Sequence, residues 1–201
     1  KEDFTRSSYY KTNAKRENEK IKFKNYTSYL ASLKMKANLK KFEKENINRI
    51  VQLVNKTNQF NLTVKRLNLK EITNISKSSN FLTISGNLKD KFGDNGLVTV
   101  FIGKIKKQTI DIALWLMSCR VFNRNLEFAL FDYLINLCKS KGVSTICGYY
   151  IKSEKNSVVK DFYKTLGFKK VKNQKSEDKW EFKITEKYTK KNKIIKITNE
   201  K

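Results

Sequence analysis

The chain predicts an α+β domain built on one mixed sheet, mostly antiparallel with a central parallel step, and carrying helices on both faces. Three observations lead there. Between residues 80 and 117, three runs rich in β-branched and aromatic residues follow one another across turn-length gaps, so they form an antiparallel meander. A long apolar stripe follows, made of Leu126, Ala129, Leu130, Tyr133, Leu134, Leu137 and Cys138, and it predicts a helix. The next strand candidate, 143–151, lies beyond that helix, and strands joined through a helix pair in parallel with a right-handed crossover.

Taken in order, residues 1–24 are charged and lack an apolar stripe, which predicts an exposed helix or linker. Because the sequence opens on Lys1 and is polar and helix-like there, the expectation is a fragment of a longer chain, with the removed part upstream. Tyr26, Tyr29, Leu30 and Leu33 then mark a short amphipathic helix, and 37–42 a first strand. Ile47, Ile50, Val51 and Val54 place a helix over 43–55. The stretch KTNQFNLTVKR (56–66) is rich in Asn and Thr and reads as a loop, and 69–75 as a short helix. Strands are expected at 80–88, 97–105 and 109–117, the first two joined by the turn Gly93-Asp94-Asn95-Gly96, since Asn and Gly accept positive φ. The long helix stops at Lys141-Gly142. A second helix, 156–166, buries Val158, Val159, Phe162, Tyr163 and Leu166, and strands at 168–171 and 180–184 close the sheet. From Glu186 the tail is Lys-rich and frayed, unless Ile194, Ile195 and Ile197 add an edge strand. The domain itself spans 25–185.

Composition narrows the chemistry. With no histidine in 201 residues, Ser-His-Asp hydrolysis, Cys-His proteolysis and His-ligated metals are excluded. Three cysteines without CxxC spacing indicate neither a disulfide framework nor a thiolate metal site, so no metal is expected and a reducing, cytoplasmic setting fits. No run is long and apolar enough to span a membrane, and none resembles a secretion signal. The formal charge of +25 comes from 44 basic against 19 acidic residues. Only six of the 44 are Arg. A Lys and Asn excess without proline is what AT-rich coding produces unselected, and no nucleic-acid-binding motif accompanies it. An acidic partner or a coenzyme suits the charge better than DNA.

Chemistry is expected where the parallel step opens. There the turn Cys119-Arg120-Val121-Phe122-Asn123-Arg124-Asn125 leads into the N-terminus of the long helix, a ready anion site. Asn123 and Asn125 tolerate the left-handed conformation that would curl the N–H groups inward, and Arg120 and Arg124 would add charge-assisted bonds to a pyrophosphate. Two solvated arginines on a capping turn are the alternative.

NSVVKDFYKTLGF (156–168) resembles motif B of the GCN5-related N-acetyltransferase (GNAT) fold, and RVFNRN (120–125) resembles its pyrophosphate turn, with Asn where that turn prefers Gly. RIVQLVNKTNQFNLT (49–63), LKDKFGDNGLV (88–98), LMSCRVFNR (116–124) and KNSVVKDFYKTLGF (155–168) together look like the C-terminal domain of FkbH-like proteins. The resemblance implies a GNAT-like acyltransferase following a haloacid-dehalogenase-like (HAD) domain in one chain. It further implies coenzyme A, acyl-CoA or carrier-bound phosphopantetheine as the thioester, an acyl carrier protein as partner, and glyceryl loading as a task. Residues 1–24 would then link to the upstream HAD-like domain.

In this frame Tyr163 stands at the family's acid tyrosine, or is a core residue on the helical stripe. Asp111, an acid inside an apolar strand, is a base candidate, or a solvated residue of the exposed face. Cys119, beside the cleft with Arg120 and Arg124, is a candidate for a covalent acyl relay, inert burial being the commoner fate of a cysteine. Asn156 is a cofactor contact or a plain N-cap. Asn58, Gln59, Asn61 and Arg66 are substrate-side candidates through the family match. Two functions follow: an acyltransferase acting on a pantetheine thioester, or a catalytically silent module that docks a carrier protein for the upstream domain. The Asn-for-Gly turn favours docking; Tyr163 and Asp111 favour chemistry.

Overall fold

The structure, a computed structural model, describes residues 2–172 and 177–198; Lys1, 173–176 and the last three residues of the expected tail lie outside the described residues. Its strands are β1 (Lys36–Lys40), β2 (Phe81–Asp90), β3 (Gly93–Lys106), β4 (Thr109–Met117), β5 (Thr145–Tyr150), β6 (Lys169–Val171), β7 (Asp178–Lys183) and β8 (Lys196–Ile197). They form one sheet in the order β6-β7-β5-β4-β3-β2-β1-β8. The meander β1 to β4 is antiparallel, as is β5-β7-β6, and the two halves meet in the parallel pair β4-β5.

Helices cover both faces because each buries a stripe on its own side. α5 (Leu126–Ser140) lays Ala129, Leu130, Phe131, Leu134, Ile135 and Cys138 on one face, joined by Leu30 of α2 (Tyr26–Ser32) and Phe162 and Tyr163 of α6 (Phe162–Thr165). α3 (Ile47–Lys56) and α4 (Leu69–Lys77) cover the other through Ile50, Leu53, Val54 and Ile72, packed on Val100, Ile102, Leu114 and Leu116. Each such buried aliphatic side chain contributes about 1.5–3 kcal/mol. Asn68 and Glu71 start α4 with a reciprocal capping box, each side chain accepting the other's backbone N–H.

Three expectations are corrected, and a fourth is decided between its two readings. The first hairpin turns at Lys91-Phe92, not at Gly93–Gly96. Asp90 sets the turn, its carboxylate accepting the N–H groups of Phe92 (2.9 Å) and Gly93 (3.2 Å). Gly96, at φ +69°, instead serves a bulge at the start of β3, where Asn87 pairs with Leu97. The segment 156–166 is not one helix but a 3-10 turn, Ser157–Val159, and the short α6, which leaves Val158 exposed. Of the two readings of the tail, the edge strand holds as far as the tail is described: β8 adds a second parallel pair beside β1, and buried Asp132 of α5 accepts the Tyr188 hydroxyl and the N–H groups of Lys191 and Asn192. Finally, α1 (Glu2–Lys20) is a helix that does reach the body, because Arg16 is buried against Asp90.

Candidate active cleft

The parallel pairing of β4 with β5 is short. Thr109, Ile110 and Asp111 pair with Thr145, Ile146 and Cys147, and there the ladder stops. One extra residue, Ala113, bulges from β4 at the register shift against β3, immediately beyond the last parallel pair. A bulge bends its strand and sharpens the local twist, so β4 veers from β5 and a wedge opens between them.

The loop between α3 and α4 fills the inner part of that wedge. Leu62 donates its N–H to the carbonyl of Trp115 (3.3 Å), while the carbonyl of Phe60 accepts the N–H of Met117 (3.1 Å). On the other side the Leu62 carbonyl accepts the N–H of Ile151 (2.9 Å). The Thr63 hydroxyl donates to the Ala113 carbonyl (3.0 Å). Residues 60–63 thus act as a short inserted strand that satisfies both splayed edges.

Asn156, 0% exposed, fastens the insert. Its Nδ2 donates to the carbonyls of Asn61 (3.0 Å) and Ile151 (2.9 Å), and its Oδ1 accepts from Ser153 N–H (2.8 Å) and the Tyr150 hydroxyl (3.2 Å). Those four bonds use the whole capacity of the amide. Tyr163, also 0% exposed, places its hydroxyl on the β5 side of the wedge, accepting the Tyr149 N–H (3.2 Å) and donating to the Tyr149 carbonyl (3.3 Å). Its ring lies so close over Gly148 that a Cβ there would meet it at 2.3 Å. Burial pushes the phenol far above its ordinary pKa.

Outside the insert, at the C-terminal end of β4, lies an open cleft of about 1090 Å³. α3 supplies one wall, with Arg49 and Lys56; the turn after β4 supplies another, with Cys119 and Arg120; the turn before α6 supplies a third, with Lys155. Glu154 is the acidic residue among these lining charges. Cys119 is exposed and opens the 3-10 turn Cys119–Val121, whose Arg120 N–H is capped by the Ser118 hydroxyl (3.4 Å).

No family model matches the sequence, and no curated protein matches it. Solved structures do share the architecture. The PaiA N-acetyltransferase from Thermoplasma acidophilum in complex with coenzyme A superposes with a TM-score of 0.55 at 18% identity, over 73% of this chain and 98% of its own. Ard1 from Thermoplasma volcanium gives 0.57 at 14% identity, over 75% and 99%, and an acetyltransferase of the GNAT family from Streptococcus pneumoniae gives 0.55 at 13%, over 75% and 100%. This chain has the GNAT fold.

Within that fold the candidate residues fall in four places. The turn at 120–125 has its expected curl, Asn123 at φ 60° and Asn125 at φ 62°, and the Asn123 carbonyl is held by the Tyr26 hydroxyl (2.9 Å). Val121 is fully buried, whereas Phe122 borders the cleft. Arg124, 7% exposed and expected as a cofactor contact, is engaged by the chain itself, donating to Asp90 (3.0 Å). Asn156 is engaged likewise, since its amide is saturated by the chain itself.

Tyr163 and Asp111, the expected acid and base, do not line the outer cleft. The Tyr163 hydroxyl is committed to the β5 backbone. Asp111 accepts the Tyr149 hydroxyl (3.2 Å) and pairs with Lys106 (2.7 Å). It stands six strand residues, roughly 20 Å, from Met117 at the cleft. Asn58 and Gln59 line the large cleft. Asn58, Asn61 and Arg66 border a neighbouring cavity of about 380 Å³. Arg66 caps the end of α3 by donating to the carbonyls of Val54 (2.7 Å) and Thr57 (2.8 Å). The buried Oδ1 of Asn61 lacks a partner among the described residues.

Two functional-looking acids escaped sequence reasoning, Asp90 and Asp132. The signal for Asp132 was present: it is the lone charge within the apolar run Ala129–Leu134. Nothing in the sequence around Asp90 pointed to its arginine partners.

A pantetheine arm fits this protein in part. The outer cleft is of ligand size. The inner wedge does not fit the arm, because residues 60–63 already hold both strand edges.

Proposed function

We propose that this domain handles an acyl thioester presented on a pantetheine arm, and that the acyl group is received in the outer cleft by Cys119. The observation that carries the reading is the exposed thiol at the mouth of the splayed strands, on a cleft wall rich in basic side chains. The GNAT fold supports acyl transfer as the class of chemistry. The Cys119 sulfur, as thiolate, would attack the thioester carbonyl carbon; the carbon–sulfur bond to the arm breaks, the acyl group stays on Cys119, and the departing thiolate takes up the proton Cys119 released. The resemblance to FkbH-like domains supplies the finer expectation: an acyl carrier protein as bearer of the arm, a glyceryl unit as the acyl group, and a HAD-like domain upstream.

A second reading, docking of a carrier without transfer, is favoured by the insert at 60–63, which blocks deep entry of the arm. Incubation with acetyl-CoA and with an acylated carrier protein, followed by intact-mass measurement, separates them. Transfer gives a hydroxylamine-sensitive adduct lost in Cys119→Ser and kept in Cys147→Ser. Docking gives carrier binding by calorimetry with no adduct. Neither adduct nor binding up to about 1 mM overturns both.

A further inference from the structure

The cavity in front of the α5 N-terminus is where a coenzyme's phosphates are expected, yet its walls are acidic and apolar. It measures about 240 Å³ and lies between the turn after β4, the first turn of α5 and the start of α6. Resting on the thioester reading above, we propose that this cavity takes an uncharged stretch of the pantetheine arm and that Glu127 bars phosphate from it. The domain then favours a protein-borne arm over free coenzyme A.

Charge is the first obstacle to a phosphate. Glu127 and Asp161 border the cavity, and no Lys or Arg does so among the described residues, in a chain with 44 basic residues. Arg120 and Arg124, the expected phosphate contacts, are not on its wall. Glu127 has no basic partner among the described residues, and its carboxylate turns back to its own backbone N–H in the first turn of α5. The positive end of the helix is thereby answered by an anion of the chain's own, at the place where a phosphate would otherwise gather. A second anion brought there would meet like charge at short range in a partly desolvated site.

Donors are scarce as well. Around the curl, the N–H of Phe122 donates to the Cys119 carbonyl (3.3 Å), that of Arg124 to Val121 (3.3 Å) and that of Phe128 to Asn125 (3.2 Å). The Thr165 hydroxyl on the wall donates to the Asp161 carbonyl (3.1 Å). The floor is apolar: Phe60, Met117, Val159, Phe162 and Leu166 are buried, and the Phe60 ring packs against both Phe122 (5.8 Å) and Phe162 (5.0 Å). Methylene and methyl groups of an uncharged arm suit such a floor, and a phosphate does not.

The overall charge cannot make this distinction. A formal +25 draws in coenzyme A and an acidic carrier alike, so selectivity falls to a local repulsion that weakens one ligand and leaves the other untouched. Phe60, Met117, Phe122 and Val158 also border the outer cleft, so an arm seated here can lead its thioester end toward Cys119.

The test is an amide-resolved NMR titration of the full chain at constant ionic strength, with pantetheine in one arm and coenzyme A in the other, each up to about 10 mM. Saturable shifts at Phe122, Asn123 and Phe128 are expected with pantetheine, and coenzyme A should bind no more tightly. Glu127→Gln should tighten coenzyme A roughly tenfold and alter pantetheine by less than about twofold. Glu45→Gln, which removes the same charge at an exposed site, should do neither. Three results would overturn the exclusion and leave the thioester reading standing: coenzyme A binding the unaltered chain more tightly than pantetheine, a preference that Glu127→Gln leaves unchanged, or pantetheine shifts confined to other residues. Binding of neither ligand by either the unaltered chain or Glu127→Gln would overturn the thioester reading together with the exclusion.

Discussion

At the scale of single residues, the three thiols separate by environment. Burial pushes Cys138 up to about 12 and Cys147 to about 11, and Cys138 is fully enclosed by core. Cys119 alone of the three is exposed. Iodoacetamide at pH 7.5 should therefore label Cys119 first, with Cys138 and Cys147 reacting only after denaturation; tryptic mapping of a time course checks this. Glu127, in the first turn of α5, is the other informative side chain. Burial holds its carboxyl above the ordinary 4.5, against a smaller pull from its own backbone N–H. The folded state thus binds this proton more tightly than the unfolded chain does, so its contribution to stability is intact below 4.5 and is lost as pH rises through the folded value. Glu127→Gln should raise Tm near pH 7.5 and leave it unchanged near pH 4. Equal gains at both pH values would show that the carboxyl is not the cause.

At the scale of elements, the insert at 60–63 is the feature that decides how the cleft can be used, and Asn156 is its fastener. Asn156→Ala would strand the buried carbonyls of Asn61 and Ile151 and the N–H of Ser153. It should cost about 2–4 kcal/mol in denaturant unfolding and speed hydrogen exchange at Leu62 and Ile151 together. Exchange that stays slow at both would mean that other contacts suffice to hold the insert. The sequence pattern exposed the strands and the long helix because their apolar periodicity is local. It led to the parallel step through chain order alone. The insert was invisible for the opposite reason: its bonds join residues far apart in sequence through backbone groups, which every residue type carries. The same limit hid the true role of Asn156, placed correctly at the head of its turn but bonded to partners no spacing rule names. Tyr163 shows how a motif position and a burial stripe coincide: the stripe accounts for the ring, and the hydroxyl serves β5. The hairpin error has a specific cause, since Gly93–Gly96 carries turn-forming residues but Asp90 captures the bend two residues earlier.

At the scale of the whole molecule, a formal +25 must be held within one compact body. Self-repulsion of that size destabilises the folded state, and salt screens it over about 10 Å at 0.1 M. Raising NaCl from about 0.05 to 0.5 M should therefore raise Tm by a few degrees. A fall would mean that the ion pairs, Asp90 with its two arginines foremost, outweigh the general repulsion. The same charge predicts salt-sensitive retention on polyanionic supports without any specific recognition. The order of the sheet has a further consequence for biogenesis. β1 precedes the other strands of this sheet in the described residues, while β8, which covers its outer side, follows them. Until β8 is made that flank stays bare, an adhesive rim open to neighbouring nascent chains until Asp132 catches the arriving segment.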